Sequence, residues 1–359
     1  MAHQLQERWS SLVLAKLRKL LVLKDGVVFN TKYEGDPKAG AVKIPSRDTE
    51  VAVSEYDRAN GIRPTNGSTG YITMPITHDV AVNEIVDGYE AAAVPDGLVA
   101  DRLDSAAYAL ARKVDDEGGT VLLAAATHEN VDAVTVENAY EKLVDIRTKM
   151  SKANIPTPGR YCLATPDFYA LILKDKEHFV GPTGMGADIV ATGAVGMIAG
   201  FIVYEWNDST AGLQCICGHP DFATRCMEFS VPVHLQDLSG SGSYIGASAV
   251  QGRSVFDHKV LRSVAIRAMF APAALAITAA PASTAGKTVL TVSGSSGSLQ
   301  YKVKPAERAA FGATYNGTAL TSGSTSIAVA PGNTIEVVDI VDGTVAAVGY
   351  ITVAAEEIK

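Results

Sequence analysis

Several absences bound this sequence before any motif is read. No run approaches the roughly 20 consecutive apolar residues that span a bilayer, so no helical membrane protein is expected. The polar start, MAHQLQERW, precedes any apolar run, and the expectation is a cytosolic product without a signal peptide. Charged residues make up only 19% and hydrophobic residues 47%, which excludes a disordered chain and indicates an ordered globular one. Cysteines number four, Cys162, Cys215, Cys217 and Cys226, all in one region, and without an export signal free thiols are the default. Positive charge is in deficit: the formal net charge of -8 argues against wholesale coating of nucleic acid, although the N-terminus is locally basic.

Catalytic signatures are missing too. The seven histidines form no H-E-x-x-H, and neither a G-x-S-x-G elbow nor a Cys–His signature appears. STAGKT (Ser283–Thr288) ends as a phosphate loop ends, but the first glycine of that loop would fall at Pro281. The segment also leads into a strand instead of a helix. GPTGMGADIV (Gly181–Val190) and SGSGSYIG (Ser239–Gly246) lack the strand–helix context of a dinucleotide site and read as loops. Cys215, Cys217 and His219 alternate on one strand face with Cys226 beyond them. Their spacing matches no paired C-x₂₋₄-C zinc arrangement, and buried apolar packing is the reading preferred. Asp115, Asp116 and Glu117 diverge by about 100° per residue on a helix, so they form a solvated or subunit-facing patch and not a cation site. No catalytic residue, cofactor or metal is assigned, and no enzyme is expected.

What is present begins with a long helix, from Pro95 to about Leu123. Val99, Leu103, Ala106, Leu110, Val114 and Val121 recur at helical spacing with Ala107 and Ala111 beside them, giving a narrow apolar stripe of small residues. At 1.5 Å per residue it is roughly 40 Å long. Gly118-Gly119 inside it predicts a bend or a close packing contact. Ahead of it, residues 9–24 read as a basic amphipathic helix carrying Lys16, Arg18, Lys19 and Lys24. VVFNTKY, AVKIPS, TEVAVSEY and YITMPITHDVAVNEIV then read as strands, with the turn-rich NGIRPTNGSTG as the polar tip of a long hairpin. An isolated ribbon is marginal in water, so an adjacent subunit is its natural cover.

Thr135 to Lys152 gives a second helix, with Thr135 as N-cap. A buried strand at Arg160 to Ala164, a short helix opening at Pro166-Asp167 and further alternation make a mixed α+β unit. APAALAITAAPASTA (271–285) reads as a linker or domain boundary, and beyond it short strands separated by Gly, Ser and Asn predict a β-sandwich of Ig-like architecture without a disulfide. Tyr301, Phe311, Tyr315 and Tyr350 would permit sugar stacking there, but a core role for most of them is preferred.

The order of these parts resembles the major capsid proteins of tailed bacteriophages. KAGAVKIP (Lys38–Pro45), ITHDVAVNEIVDGYEA (Ile76–Ala91), the long helix, IPTPGRYCLATPDFYALI (Ile155–Ile172) and GAVGMIAGFIVYEWN (Gly193–Asn207) carry the likeness, over about residues 5–270. The last of these is similar to a G-x-x-G-x-x-x-G-F-x-V run of that family. The resemblance implies an α+β capsid fold: an arm over 1–26, an extended loop with peripheral strands over 27–91 and a spine helix over 92–130. An axial α/β domain over 131–235 and a return to the peripheral domain over 236–274 follow, with the Ig-like sandwich over 275–359. It implies self-assembly as hexamers and pentamers of an icosahedral shell around double-stranded DNA, located in the virion and built in the host bacterial cytoplasm. A separate scaffolding protein, a portal, and host-surface or carbohydrate contact through the sandwich are the other implied partners. Tyr56, Arg58 and Arg63 at the loop tip are the candidate subunit contacts; Lys16, Arg18, Lys19 and Lys24 are the candidate interior, DNA-facing residues. The alternatives are a bacterial nanocompartment shell and a hydrolase or nucleotide-binding enzyme with a carbohydrate-binding module.

Overall fold

The computed structural model describes residues 16, 18–33, 40–46, 53, 55–61, 70–93, 97–175 and 196–359. In chain order these form β1 (Ala41–Ser46), β2 (Gly70–Pro75), β3 (His78–Asp87), α1 (Gly88–Ala93), α2 (Leu98–Ala125), β4 (Thr127–Asn130) and α3 (Ala139–Lys152). Next come β5 (Tyr161–Ala164), α4 (Pro166–Lys174), β6 (Met197–Ile198), β7 (Phe201–Glu205), β8 (Leu213–Gly218), β9 (Ala223–Asp237), β10 (Ala247–Val260) and β11 (Arg267–Phe270). The C-terminal strands are β12 (Ala273–Ala274), β13 (Ala276–Pro281), β14 (Lys287–Ser293), β15 (Ser298–Val303), β16 (Thr318–Ala319), β17 (Ser326–Ala328), β18 (Thr334–Val341) and β19 (Thr344–Thr352). The chain divides into two compact units, Met1–Ala125 with Pro220–Arg262, and Ala126–His219 with Ser263–Lys359.

In the first unit α2 packs on the antiparallel sheet β3-β10-β9. Ala106, Leu110, Val114, Gly118 and Leu122 recur every fourth residue along the helix and are all buried. Burying a leucine or valine of that stripe contributes on the order of 2 kcal/mol. The helix runs unbroken through its glycine pair to Ala125, so of the two outcomes expected at that pair the close contact holds. A Cβ at Gly118 would stand 3.0 Å from the Phe29 ring and 3.2 Å from His258. Pro95 and Asp96, the expected start, lie outside the described residues.

The expected hairpin is present as β1 and β2, paired antiparallel from Ala41↔Pro75 to Ser46↔Gly70. Val42, Ile44, Ile72 and Met74 share one face, with Ile44 and Met74 buried. Most of its long connection lies outside the described residues. VVFNTKY is not a ladder strand: it makes only isolated bridges, among them Asn30 to Thr224. The arm also departs from expectation, because residues 16 and 18–24 carry no helix. A nearby row of helix carboxylates offers Lys16, Arg18 and Lys19 partners that a helical arm would present at diverging angles.

The second unit holds a mixed sheet of order β4-β11-β8-β5-β7-β6. On α3, Leu143, Ile146 and Met150 are buried, and α3 contacts α4, which opens at Pro166-Asp167 as expected, with Thr165 as its N-cap. Helix α3 begins later than predicted because the Asn138 side chain accepts from the Thr135 N–H at 2.8 Å and donates to the Ala133 carbonyl at 3.1 Å. Those bonds close a turn over 133–138, and Thr135 is not the cap.

The C-terminal strands form two sheets, β13-β14-β17 and β12-β19-β18-β15-β16. Leu290, Val292 and Ile327 of one meet Ile335, Val337 and Ala347 of the other in a shared core. Residues 271–285 are therefore no free linker: β12 pairs with β19 and β13 with β14, which satisfies backbone groups that a linker would leave to solvent. The sandwich also grips the mixed sheet. Phe311 stacks on Phe270 with centroids 5.8 Å apart, its N–H donates to the Val131 carbonyl, and Arg308 stands 3.7 Å from Asp132. Residues 220–237, expected to lie mostly in the axial domain, instead belong to the first unit, where β9 pairs with β10.

Candidate functional site

Two features stand out for contact with other molecules, the ribbon and the arm. On the ribbon, Tyr56 is 70% exposed, Val53 96% and Tyr71 66%, and Arg58 is exposed in the turn Asp57–Gly61. That turn is pinned by Asp57, whose carboxylate accepts from the Ala59 N–H at 2.8 Å and the Asn60 amide at 2.6 Å. These bonds favour the ionised form and lower the Asp57 pKa. Arg63 lies outside the described residues.

The arm is laid along α2. Lys16 pairs with Asp101 at 2.7 Å, Arg18 with Asp104 at 2.5 Å and Lys19 with Asp116 at 3.0 Å. Arg18 also lies 4.8 Å over the Tyr108 ring, and the Tyr108 hydroxyl donates to the Lys19 carbonyl. Lys24 is exposed. Such surface pairs are individually weak. The arm's firm attachment lies deeper, where the Leu23 N–H donates to Asp115 at 2.9 Å. Burial raises the pKa of Asp115. Asp115, Asp116 and Glu117 are thus not a solvated or subunit-facing patch: the first two hold the arm, and Glu117 takes Lys113. Ala107 and Ala111, small residues of the expected stripe, line a cavity of about 480 Å³ together with Leu21 and Leu23.

Behind Leu23 sits Arg225, 8% exposed, which sequence reasoning did not single out. Its guanidinium donates to the Leu23 carbonyl at 2.7 Å, to Asp25 at 3.0 Å and to His258 Nε2 at 2.9 Å, and lies 5.0 Å over the Phe29 ring. No local signal marks Arg225, since its partners stand 33 to 202 positions away. Burial, then the neighbouring Arg225 charge, depress the His258 pKa to about 3.

The cysteines regroup. Cys162, Cys215 and Cys217 come together in the mixed sheet, all buried, while Cys226 lies on β9 of the other unit. His219 is taken by the Pro158 carbonyl, 2.8 Å from its Nε2. Hydrogen bonds from Cys215 and Cys217 favour ionisation of Cys162, whereas burial holds Cys217 well above its ordinary pKa. The sandwich aromatics are used internally: Tyr315 donates to the buried Glu336 at 2.8 Å, and Tyr301 and Tyr350 pack against core clusters. No helix among the described residues is long and apolar enough to cross a membrane.

Comparison with known proteins agrees with this architecture. The family described as phage capsid protein matches residues 88–274, just over half of the chain. The fold is similar to a solved structure from Mycobacterium phage Che8, with 19% identity and a TM-score of 0.63 over 74% of this chain and 96% of that one. It is also similar to the capsid structure of cyanophage P-SCSP1u, with 14% identity and a TM-score of 0.61 over 74% and 92%. The capsid of a native GTA particle gives 13% identity and a TM-score of 0.54 over 74% and 95%. No curated protein matches in sequence.

Proposed function

This chain belongs to the phage capsid protein family, and on that premise we propose that it is the major shell subunit of a tailed bacteriophage. Copies assemble as hexamers and pentamers of an icosahedral shell around double-stranded DNA, in the host bacterial cytoplasm, and remain in the virion. The role is structural. The observation that carries this reading is the two-stranded ribbon, which presents Tyr56, Arg58 and Tyr71 to solvent. Exposed aromatic and arginine side chains on an otherwise marginal element are typical anchors for a neighbouring subunit. Arg63 belongs to the same tip in this proposal. A closed symmetric shell covers such surfaces on every copy.

The expected order of arm, extended loop, spine helix, axial domain, peripheral return and terminal Ig-like sandwich is kept in this proposal, with 220–235 reassigned to the spine unit and 126–130 and 263–274 to the unit that holds the mixed sheet. The sandwich is proposed to face outward, where it is available to a host surface or carbohydrate. A separate scaffolding protein and a portal complete the assembly. The arm faces the interior. There Lys24 is the basic residue most available to DNA phosphates, because Lys16, Arg18 and Lys19 already hold carboxylates of α2.

Deletion of residues 57–68 tests the ribbon directly. Soluble folded protein that forms no shells by electron microscopy is the expected result, and normal particles from the deletion would refute it. Reversing the charge of Lys24 should lower genome retention, and more so at low salt. Retention unchanged at every salt concentration removes the interior role.

A further inference from the structure

Three thiols converge inside the mixed sheet, and the shell reading makes no use of them. Cys215 and Cys217 are alternate residues of β8, so both project from one face. Antiparallel pairing sets Cys162 of β5 directly opposite Cys217, and directly opposed residues share a face. The three sulfurs lie within 4.8 Å of one another, and those of Cys215 and Cys217 are 3.9 Å apart. All three residues are fully buried. On the other side of β8, Met269 of β11 stands opposite Cys215, which adds a thioether to the same face.

This spacing has a chemical meaning. A metal ion bound at about 2.3 Å from each of three sulfurs, and lying in their plane, holds the sulfurs roughly 4.0 Å apart. The Cys215–Cys217 separation already meets that, and Cys162 needs to close by less than about 1 Å. One disulfide would engage only two of the three sulfurs and would require about 2.0 Å between them. The donor set is all sulfur, with a thioether beside the thiols, and soft thiolate and thioether ligands select monovalent copper.

We infer that Cys162, Cys215 and Cys217 form a three-thiolate site for one soft thiophilic metal ion, with monovalent copper as the best fit. Each thiol that binds gives its proton to solvent; no electron is transferred. Because the sulfurs are fully buried, the ion enters as the chain folds, and its binding energy adds to folding energy. The consequence is a staple between β5 and β8 at the centre of the sheet.

The test expresses the full chain in copper-supplemented medium, purifies it without oxygen, and exposes it to a competing copper(I) chelator. Native mass spectrometry should find about one copper per chain. X-ray absorption should give a sulfur-only shell near 2.3 Å with about three scatterers. In Cys162→Ala and Cys217→Ala the retained copper should fall by roughly tenfold or more, while Cys226→Ala retains it. The metal-loaded wild type should also melt at a higher temperature than the metal-free chain. Folded wild type without retained copper, a nitrogen or oxygen shell, or retention unchanged in folded Cys162→Ala overturns the assignment. So does a Cys162–Cys217 disulfide, seen as the loss of two hydrogens. Where a variant fails to fold, the wild-type absorption spectrum decides by itself.

Discussion

Arg225 donates from Nε to Nε2 of His258 at 2.9 Å, across two adjacent strands, and the same guanidinium holds the Leu23 carbonyl. One buried cation thus ties the sheet to the N-terminal arm. The acceptor geometry requires His258 to be neutral.

Replacing this guanidinium should therefore free the arm. Arg225→Met keeps much of the stem but leaves the Leu23 carbonyl and the His258 ring without their donor. A loss of about 2–4 kcal/mol is expected in urea unfolding of the unassembled subunit. Trypsin cleavage at Lys19 and Lys24 should become faster than in the wild type. A variant equally resistant to trypsin would show that the arm is held elsewhere.

The depressed pKa of His258 predicts the sign of a pH effect. The group titrates near 6.5 when unfolded and about 3 in the folded chain. Between those values the unfolded chain binds a proton that the folded chain refuses, so this contribution is full above about 6.5 and is lost as pH falls towards 3. Asp115, whose pKa burial raises, acts in the opposite sense just above the ordinary carboxylate range. Arg225 and His78, the other charges bearing on the ring, both favour the neutral imidazole. The urea midpoint should drop between pH 7.5 and 5, and His258→Asn should reduce that drop. An undiminished drop in the variant assigns the effect to other groups.

Gly118 tests the closeness of α2 to Phe29. An alanine in a helix is ordinarily about 1 kcal/mol better than glycine. Here its Cβ would meet the buried Phe29 ring at 3.0 Å, so Gly118→Ala should yield little or none of that gain. Gly118→Val should lose about 1–3 kcal/mol through overpacking. Thermal unfolding of both variants checks the order, and a stabilised valine variant would contradict it.

Phe311 is the corresponding probe of the sandwich. It stacks on Phe270 and lies where a Cβ at Gly212 would have to be. Phe311→Ala should weaken docking of the sandwich by about 1–3 kcal/mol while leaving its own core intact. Hydrogen exchange should rise at residues 128–131 and 309–313 but not along β14 or β18. Uniform protection across all four segments would argue against a separable docking contact.

What the sequence determined by itself was local. The period of α2, the hairpin arms, the Pro166-Asp167 helix start and the strand-rich C-terminus were legible because each follows from neighbouring residues and backbone hydrogen bonding. The order of those parts pointed to the family. Tertiary structure alone decided the rest. The arm's leucine and lysine pattern reads as a helix, yet three carboxylates of α2 spaced over 101–116 draw its basic residues into a non-helical path. Cys162 joins Cys215 and Cys217 only through strand register, which no spacing along the chain encodes. Arg225 owes its importance to partners that folding brings from both ends of the first unit, since a buried charge is tolerated only where distant groups converge on it.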